Sequence, residues 1–596
     1  MSAAETRLAL STHHRRRRCG YDENVTSRIH LTTTTINTMD TNKEKKGKGN
    51  KPTCSAHTEE TEGISYTYTA FDDKLQQRVA NLYVEVEVLT AQLSRLSKRS
   101  FRRIAFNFAR VAVYNLFVIL VAGAAFVKVR IPPAYAGATL IPRPVLLGAI
   151  YRATSAPQGA AGSASDVFNP TKKAITTRSF LRTLARLGVD HRPPPTHPLK
   201  TTKALRLLYY VSGGNERWGL TRELYRKYWV EGEDVSNSAV LVESVRKVLV
   251  GERAEEVVRA IESGVVEGAR ERKMLEEATA SAIERGAFGV PAFWVGEEVW
   301  TDREGRGQKG RLYWGQDRMH FVEAVARLIR EGKNGQSLGQ LKSVSLQSLV
   351  PRVVKQSDIP RDEEVKLEFW YDFSSPWAFL GWTQLARLQR QFGERLHIEM
   401  KPFLLGILFR EIGAPNLPSL AVSEAKRAYL QLDHSDWTRW WNAVNEQEGK
   451  PDKTIEFYWA DIFPIRTPMV LRAVLANPDL CALLYRACWE QNLDVGSEKV
   501  LAQVLDKAGY DDRAILDQAN SPGVKSDLRA RTQEAKDVGL CGVPSYRVFR
   551  RQVGEENWKQ VSDIIWGQDE QAVVEDFIAG WDGTRTEGSE TQQAKL

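Results

Sequence analysis

Four short blocks occur twice in this chain of 596 residues, in the same order and at nearly constant spacing. "RPVLLGAIYR" at 143–152 returns as "KPFLLGILFR" at 401–410, and "LYRKYWVEGEDV" at 224–235 returns as "LYRACWEQNLDV" at 484–495. "GVPAFWV" at 289–295 returns as "GVPSYRV" at 542–548, and "WGQD" at 314–317 returns unchanged at 566–569. The duplicated unit is therefore a domain of roughly 220 residues, not a solenoid repeat, whose period runs to about 20–50. Any fold proposed for this chain has to be built twice.

The second copy gives the clearer pattern. "VKLEFWYDF" alternates and is rich in β-formers, and an apolar helix follows Pro376. "RLHIEMKPFLLG" reads as a second strand, and 411 to about 535 reads as helical. "GVPSYRVFRR" and "WKQVSDIIWG" then give two strands, and "QDEQAVVEDFIAGW" a closing amphipathic helix. The order βαβ, helical block, ββα predicts an α/β thioredoxin fold with an all-helical insertion. The first copy enters at the equivalent of the second strand, "GATLIPRPVLLG", and has no counterpart of the Ser-Pro turn; 111–130 is the candidate for a substitute first strand. The expected domains are thus 136–333, incomplete, and 363–583, complete, with the polar stretch 334–362 as a flexible tether.

The remainder is less structured. Much of the net charge of +9 sits in the first fifth of the chain, whose basic tail 1–65 is expected to be disordered. No aromatic-basic interleaving accompanies it, so no nucleic-acid partner is expected. In the helical region 66–135, Leu75, Val79, Leu82, Val86, Leu89, Leu93 and Leu96 follow a heptad. That spacing suits a coiled-coil or docking helix, or equally a helix lying on the protein's own core. Val111–Val127 carries no charge but is short of the about 20 residues a spanning helix needs, so buried strand and helix material is preferred over membrane contact. The five cysteines, Cys19, Cys54, Cys481, Cys488 and Cys541, form no C-x-x-C pair. This argues against a disulfide framework, a zinc site and dithiol chemistry, and favours a reducing compartment. The tail 584–596 ends in Ala594-Lys595-Leu596, a variant of the peroxisomal address, with mitochondrion or cytoplasm as alternatives.

Strand-"SSPW"-helix, "GVP" before a strand and "WGQD" opening the last helix resemble the DsbA-like family that contains kappa-class glutathione transferases and 2-hydroxychromene-2-carboxylate isomerases. The likeness covers the second copy along its whole length and about 142–332 of the first. It implies that Ser375 stands where thiol oxidoreductases of this fold carry their attacking cysteine, with Ala378 at the resolving position. In such proteins the serine hydroxyl donates to a bound glutathione thiolate, flanked here by Pro376 and Trp377. The resemblance further implies a cis Val543–Pro544 bond that leaves Val543 free to pair with glutathione, and Gln568 and Asp569 holding its γ-glutamyl end. Taken as local patterns alone, Ser375-Pro376 is an N-cap followed by proline, Pro544 a turn residue and Asp569 a helix cap. Val290, Pro291, Gln316 and Asp317 would form a vestigial site in the first copy. Two departures stand out: Ala414 follows Gly413, with Asn416 two further on, where kappa enzymes have Gly-Asn, and Trp377 replaces the usual tyrosine. The implied function is a kappa-like glutathione transferase that activates the glutathione thiolate for conjugation or peroxide reduction, with glutathione as co-substrate, no metal, and a small electrophilic or aromatic substrate. An isomerase and a non-catalytic tandem scaffold are the alternatives. Because kappa proteins are homodimers, the two copies are also expected to pack as a dimer-like unit, self-association through them or through the heptad helix being the other route.

Overall fold

The computed structural model describes residues 116–119, 137–159, 164–302, 304–354, 356, 358–450 and 454–584. The tail 1–65, the heptad helix, Ala594-Lys595-Leu596 and the rest of 111–130 lie outside these residues. Among the described residues there are two sheets. The first holds β1 (Leu116–Ile119), β2 (Leu140–Arg143), β3 (Ala292–Thr301) and β4 (Gly307–Trp314) in the order β2-β1-β3-β4. The second holds β5 (Glu363–Tyr371), β6 (Leu396–Pro402), β7 (Ser545–Gln552), β8 (Lys559–Gln560) and β9 (Ile565–Trp566) in the order β6-β5-β7-β8, with β9 also on β7.

In both sheets the first two strands run parallel and the others antiparallel. The apolar stretch does supply the missing first strand: Ile119 pairs with Arg143 as Trp370 pairs with Lys401. β5 buries Val365, Leu367, Phe369, Trp370 and Tyr371, on both faces of the strand, because both faces of the sheet are covered. The single strand expected over "WKQVSDIIWG" is instead the two short pairings β8 and β9. Ser562 turns inward and its hydroxyl accepts the Val548 N–H at 2.8 Å, a bulge that interrupts the ladder. Among the described residues no helix is long and apolar enough to cross a membrane.

Five helices position the site: α1 (Pro170–Leu187), α2 (Met319–Arg330), α3 (Pro376–Phe392), α4 (Glu424–Gln447) and α5 (Gln571–Ile578). α1 and α4 are duplicates of each other. Asn169 caps α1 by accepting the Lys172 N–H, and Ser423 caps α4 by accepting the Lys426 N–H. Each crosses to the other half. From α4, Tyr429 accepts the Trp314 N–H at 2.9 Å, whereas α1 sends Arg186 to Asp576 of α5 at 2.8 Å. The insertion is less uniformly helical than its sequence suggests, with irregular stretches at 412–417 and 454–467.

The linker 334–362 is not a free tether. Leu338, Leu341, Leu346 and Ile359 are buried, so its few apolar residues anchor it. Asp576, fully buried, accepts hydrogen bonds from Arg186, Arg352 and the backbone N–H groups of Val353 and Val354. A buried carboxylate requires such partners, and the linker provides three of them.

Candidate active site

β5 ends at Tyr371 and the chain turns at Asp372, which is buried and accepts the N–H groups of Ser374 and Leu405, each at 2.9 Å. Burial raises its carboxyl above the usual range. This clamp fixes the turn between β5 and α3. Ser375 is extended (φ −105°, ψ 118°) and caps α3: Oγ accepts the Ala378 N–H at 3.2 Å and lies 3.5 Å from the Val543 carbonyl, to which it donates. The capping role and the expected position beside the proline loop are thus both realised by one hydroxyl. Val543–Pro544 is cis, as is Val290–Pro291. α3 can come this close because residue 381 is glycine; a Cβ there would sit 2.6 Å from the Tyr546 hydroxyl and 3.0 Å from Pro544 Cγ.

The "GVP" and "WGQD" blocks recur together because they lock together. In each half the glycine of "WGQD" donates its N–H to the proline carbonyl at 3.0 Å: Gly567 to Pro544, Gly315 to Pro291. In each half the tryptophan lies over the other block's glycine, so a Cβ on Gly542 or Gly289 would come within 2.8 Å of the Trp566 or Trp314 Nε1.

Past that shared frame the halves diverge. Gln568 is buried, its Oε1 accepting from Trp441 Nε1 at 3.1 Å and its Nε2 without a hydrogen-bond partner among the described residues, whereas Gln316 is exposed. Asp569 and Asp317 both reach Arg318, a buried residue of the first half. Arg318 donates to Asp569 at 3.2 Å, to Asp433 at 2.7 and 2.9 Å, and to Asp317. Three carboxylates share one guanidinium. Burial pushes Asp569 up to about 7; Asp317, Glu570 and Asp433 add to the rise, and Arg318 opposes it. An acid whose folded pKa lies above its unfolded value of 3.8 makes stability fall as pH rises between the two. Asp569→Asn is therefore expected to flatten the loss of thermal midpoint between pH 5 and pH 8; an unchanged slope would assign that loss to other groups.

A cavity of about 1990 Å³ joins the halves. Ser375, Pro376, Trp377, Val543, Gln568 and Asp569 line it from the second half, and Val290 and Asp317 from the first. Pro544, Pro291 and Gln316 lie outside the lining. Gly413, Ala414 and Asn416 face the same space. Two lysines reach it across the interface: Lys172 of α1 lies 5.4 Å from the Trp566 ring, and Lys426 of α4 lies 5.2 Å from the Trp314 ring. Burial lowers Lys172 and pushes Lys426 down to about 8, helped by Lys172 itself. Neither forms an ion pair among the described residues. The first half has no Ser-Pro counterpart: its sequence from Leu116 to Ala153 contains neither serine nor cysteine.

Motif reading missed Arg318, Lys172 and His434. His434 Nε2 lies 3.2 Å from the Pro376 carbonyl and its ring lies edge-on to Trp377. A lone charged or imidazole side chain in a helical stretch carries no local signal; only the repeat alignment, which sets Arg318 against Glu570 after "WGQD", could have drawn attention to one of them.

The DSBA-like thioredoxin domain family matches this sequence twice, over residues 127–326 and 366–579. The chain belongs to that family. A relative of this DSBA-like protein, the 2-hydroxychromene-2-carboxylate isomerase of Pseudomonas sp. (strain C18), is 22% identical over 222 residues, covering 36% of this chain and 91% of the relative. Similar solved structures include a 2-hydroxychromene-2-carboxylate isomerase (20% identical, 36% of this chain and 94% of that one, TM-score 0.28). A probable DsbA oxidoreductase from Streptomyces coelicolor is also similar (16% identical, 36% and 88%, TM-score 0.24). The DSBA-like family holds isomerases and oxidoreductases. In this member the described thiols are buried: burial raises Cys488 and pushes Cys481 and Cys541 up to about 12, so they are poorly suited to act as nucleophiles.

Proposed function

We propose that this DSBA-like protein is a glutathione-dependent enzyme of the kappa type with one active centre, at Ser375. One observation carries the reading: at the N-terminus of α3 a hydroxyl, not a thiol, faces the shared cavity beside the Val543 carbonyl. Glutathione, when bound, supplies the nucleophilic sulfur, which conjugates to an electrophile or adds to and leaves a conjugated substrate. Ser375 turns its O–H from the Val543 carbonyl toward that sulfur, and the N-terminal end of α3 favours the negative charge. A free thiol has a pKa of about 8.5, so each donor raises the thiolate fraction near neutral pH.

The remaining groups fit the rest of the peptide. The Val543 backbone serves as a one-residue strand edge for its amide. Asp569, Asp317 and Asp433 exceed the single Arg318 in charge, which suits an ammonium group, and the unpartnered Nε2 of Gln568 suits a carboxylate oxygen. Lys172, lent by the first half, offers a second cation to an anionic end. The isomerase reading is favoured by the named activity of the Pseudomonas relative. Calorimetric titration with glutathione tests both: binding with micromolar to millimolar affinity is expected, and no heat at several millimolar ligand would leave only a scaffold.

A further inference from the structure

The interface between the halves repeats itself with its charges exchanged. α1 and α4 correspond residue for residue at an offset of 254, as their caps show, and the "WGQD" regions correspond at 252. Arg182 of α1 therefore matches Asp436 of α4, and Asp563 before β9 matches Arg311 of β4. The two contacts they make across the interface are Arg182 with Asp563, and Arg311 with Asp436 at 2.9 Å. One is the other with its signs reversed. One turn away the acid changes sides as well, opposite a neutral hydroxyl in one copy: Ser179 donates to Glu570 at 2.9 Å, and in the matching place Arg318 donates to Asp433. Arg182, Arg311, Asp436, Arg318 and Asp433 are buried, so any one of them facing a like charge could not be relieved by water.

Two identical domains meeting about a two-fold axis place each residue's partner twice, in the same sense. Here that arrangement fails for either half alone. Two second halves would set Asp436 against Asp563 and Asp433 against Glu570; two first halves would set Arg182 against Arg311. We propose that this interface is charge-reversed so that the catalytic second half accepts only the serine-free first half as its partner, and not a second copy of itself. This explains how a half without Ser375 remains tied to the site: its α1 carries Lys172 into the cavity, and no duplicate of the second half can substitute for it. The inference stands on the pairing pattern and does not depend on glutathione.

Thermal unfolding of the intact chain gives the first test. Arg182→Asp and Asp563→Arg each create a like-charge contact and are expected to lower the midpoint by about 3 °C or more. The double variant, which only reverses the pair, is expected to regain most of the loss; no regain would overturn the proposal. The second test adds a protease site after Gln356, cuts the folded protein, and unfolds and refolds the fragments together before native mass spectrometry. Only pairs of one first half with one second half are expected. With Ser179→Asp, Arg182→Asp, Asp563→Arg and Glu570→Arg combined, every pairing becomes Asp with Arg, and pairs of second halves are expected to appear. Such pairs from the unsubstituted protein, or none from the fourfold variant, would overturn it.

Discussion

Replacing Ser375 with alanine is expected to lower glutathione-dependent turnover by roughly 10²–10³-fold, the usual consequence of removing one hydrogen-bond donor aimed at a developing or resident anion. The same change removes the cap of α3, in which Oγ accepts the Ala378 N–H. That loss costs about 1 kcal/mol of stability and is measured separately by urea unfolding. The two effects are distinguishable, because a missing cap lowers stability without raising the pKa of a bound thiol. The decisive measurement is the ultraviolet absorbance of thiolate against pH in glutathione complexes of both proteins, alongside kcat/KM with an activated aryl halide. In the alanine variant the bound thiol should titrate closer to the ordinary value of about 8.5. Full activity with an unchanged thiolate titration would remove Ser375 from the mechanism.

The second large effect is expected at Arg318. Arg318→Met keeps much of the side chain's length and apolar stem but leaves Asp317, Asp433 and Asp569 with no cation between them. Asp433 is buried, so losing its cation costs about 3–5 kcal/mol, whereas Asp569 is half-buried and Asp317 exposed and add little. The sign with pH follows. Without Arg318, whose charge holds the Asp569 carboxyl down, that group is raised further above its unfolded value of 3.8. The native state of the variant then holds protons that the unfolded state has released, so the deficit should grow with pH and shrink toward pH 4. Urea denaturation at several pH values checks this, and a deficit independent of pH, or below about 1 kcal/mol, would show the cluster to be well solvated.

Much of the architecture could be read from local patterns. The strand order of the second half, the helical insertion and the closing helix follow from periodicities that neighbouring residues impose on one another. Val543, Gln568 and Asp569 could be singled out because they sit in blocks that recur as text, and Ser375 because its Ser-Pro turn joins a strand to a helix in one copy alone. The misreadings have a common cause. The linker looks polar, yet four spaced apolar side chains suffice to anchor it once a surface is there to receive them. "WKQVSDIIWG" looks like one strand, yet the Ser562 hydroxyl competes with the backbone for the Val548 N–H.

By itself, then, the amino-acid order determined the duplication, the thioredoxin-like succession of elements and the presence of a Ser-Pro turn in only one copy. These are properties of one dimension, set by spacing and by what each residue does to its neighbours. Only the tertiary structure decided that α1 and α4 each reach across to the other half. It also decided that Arg318 gathers aspartates as far as 251 residues along the chain, and that Gln568 turns inward where Gln316 turns out. Those outcomes depend on which surfaces meet. Identical motifs acquire different surroundings when the faces opposite them carry opposite charge.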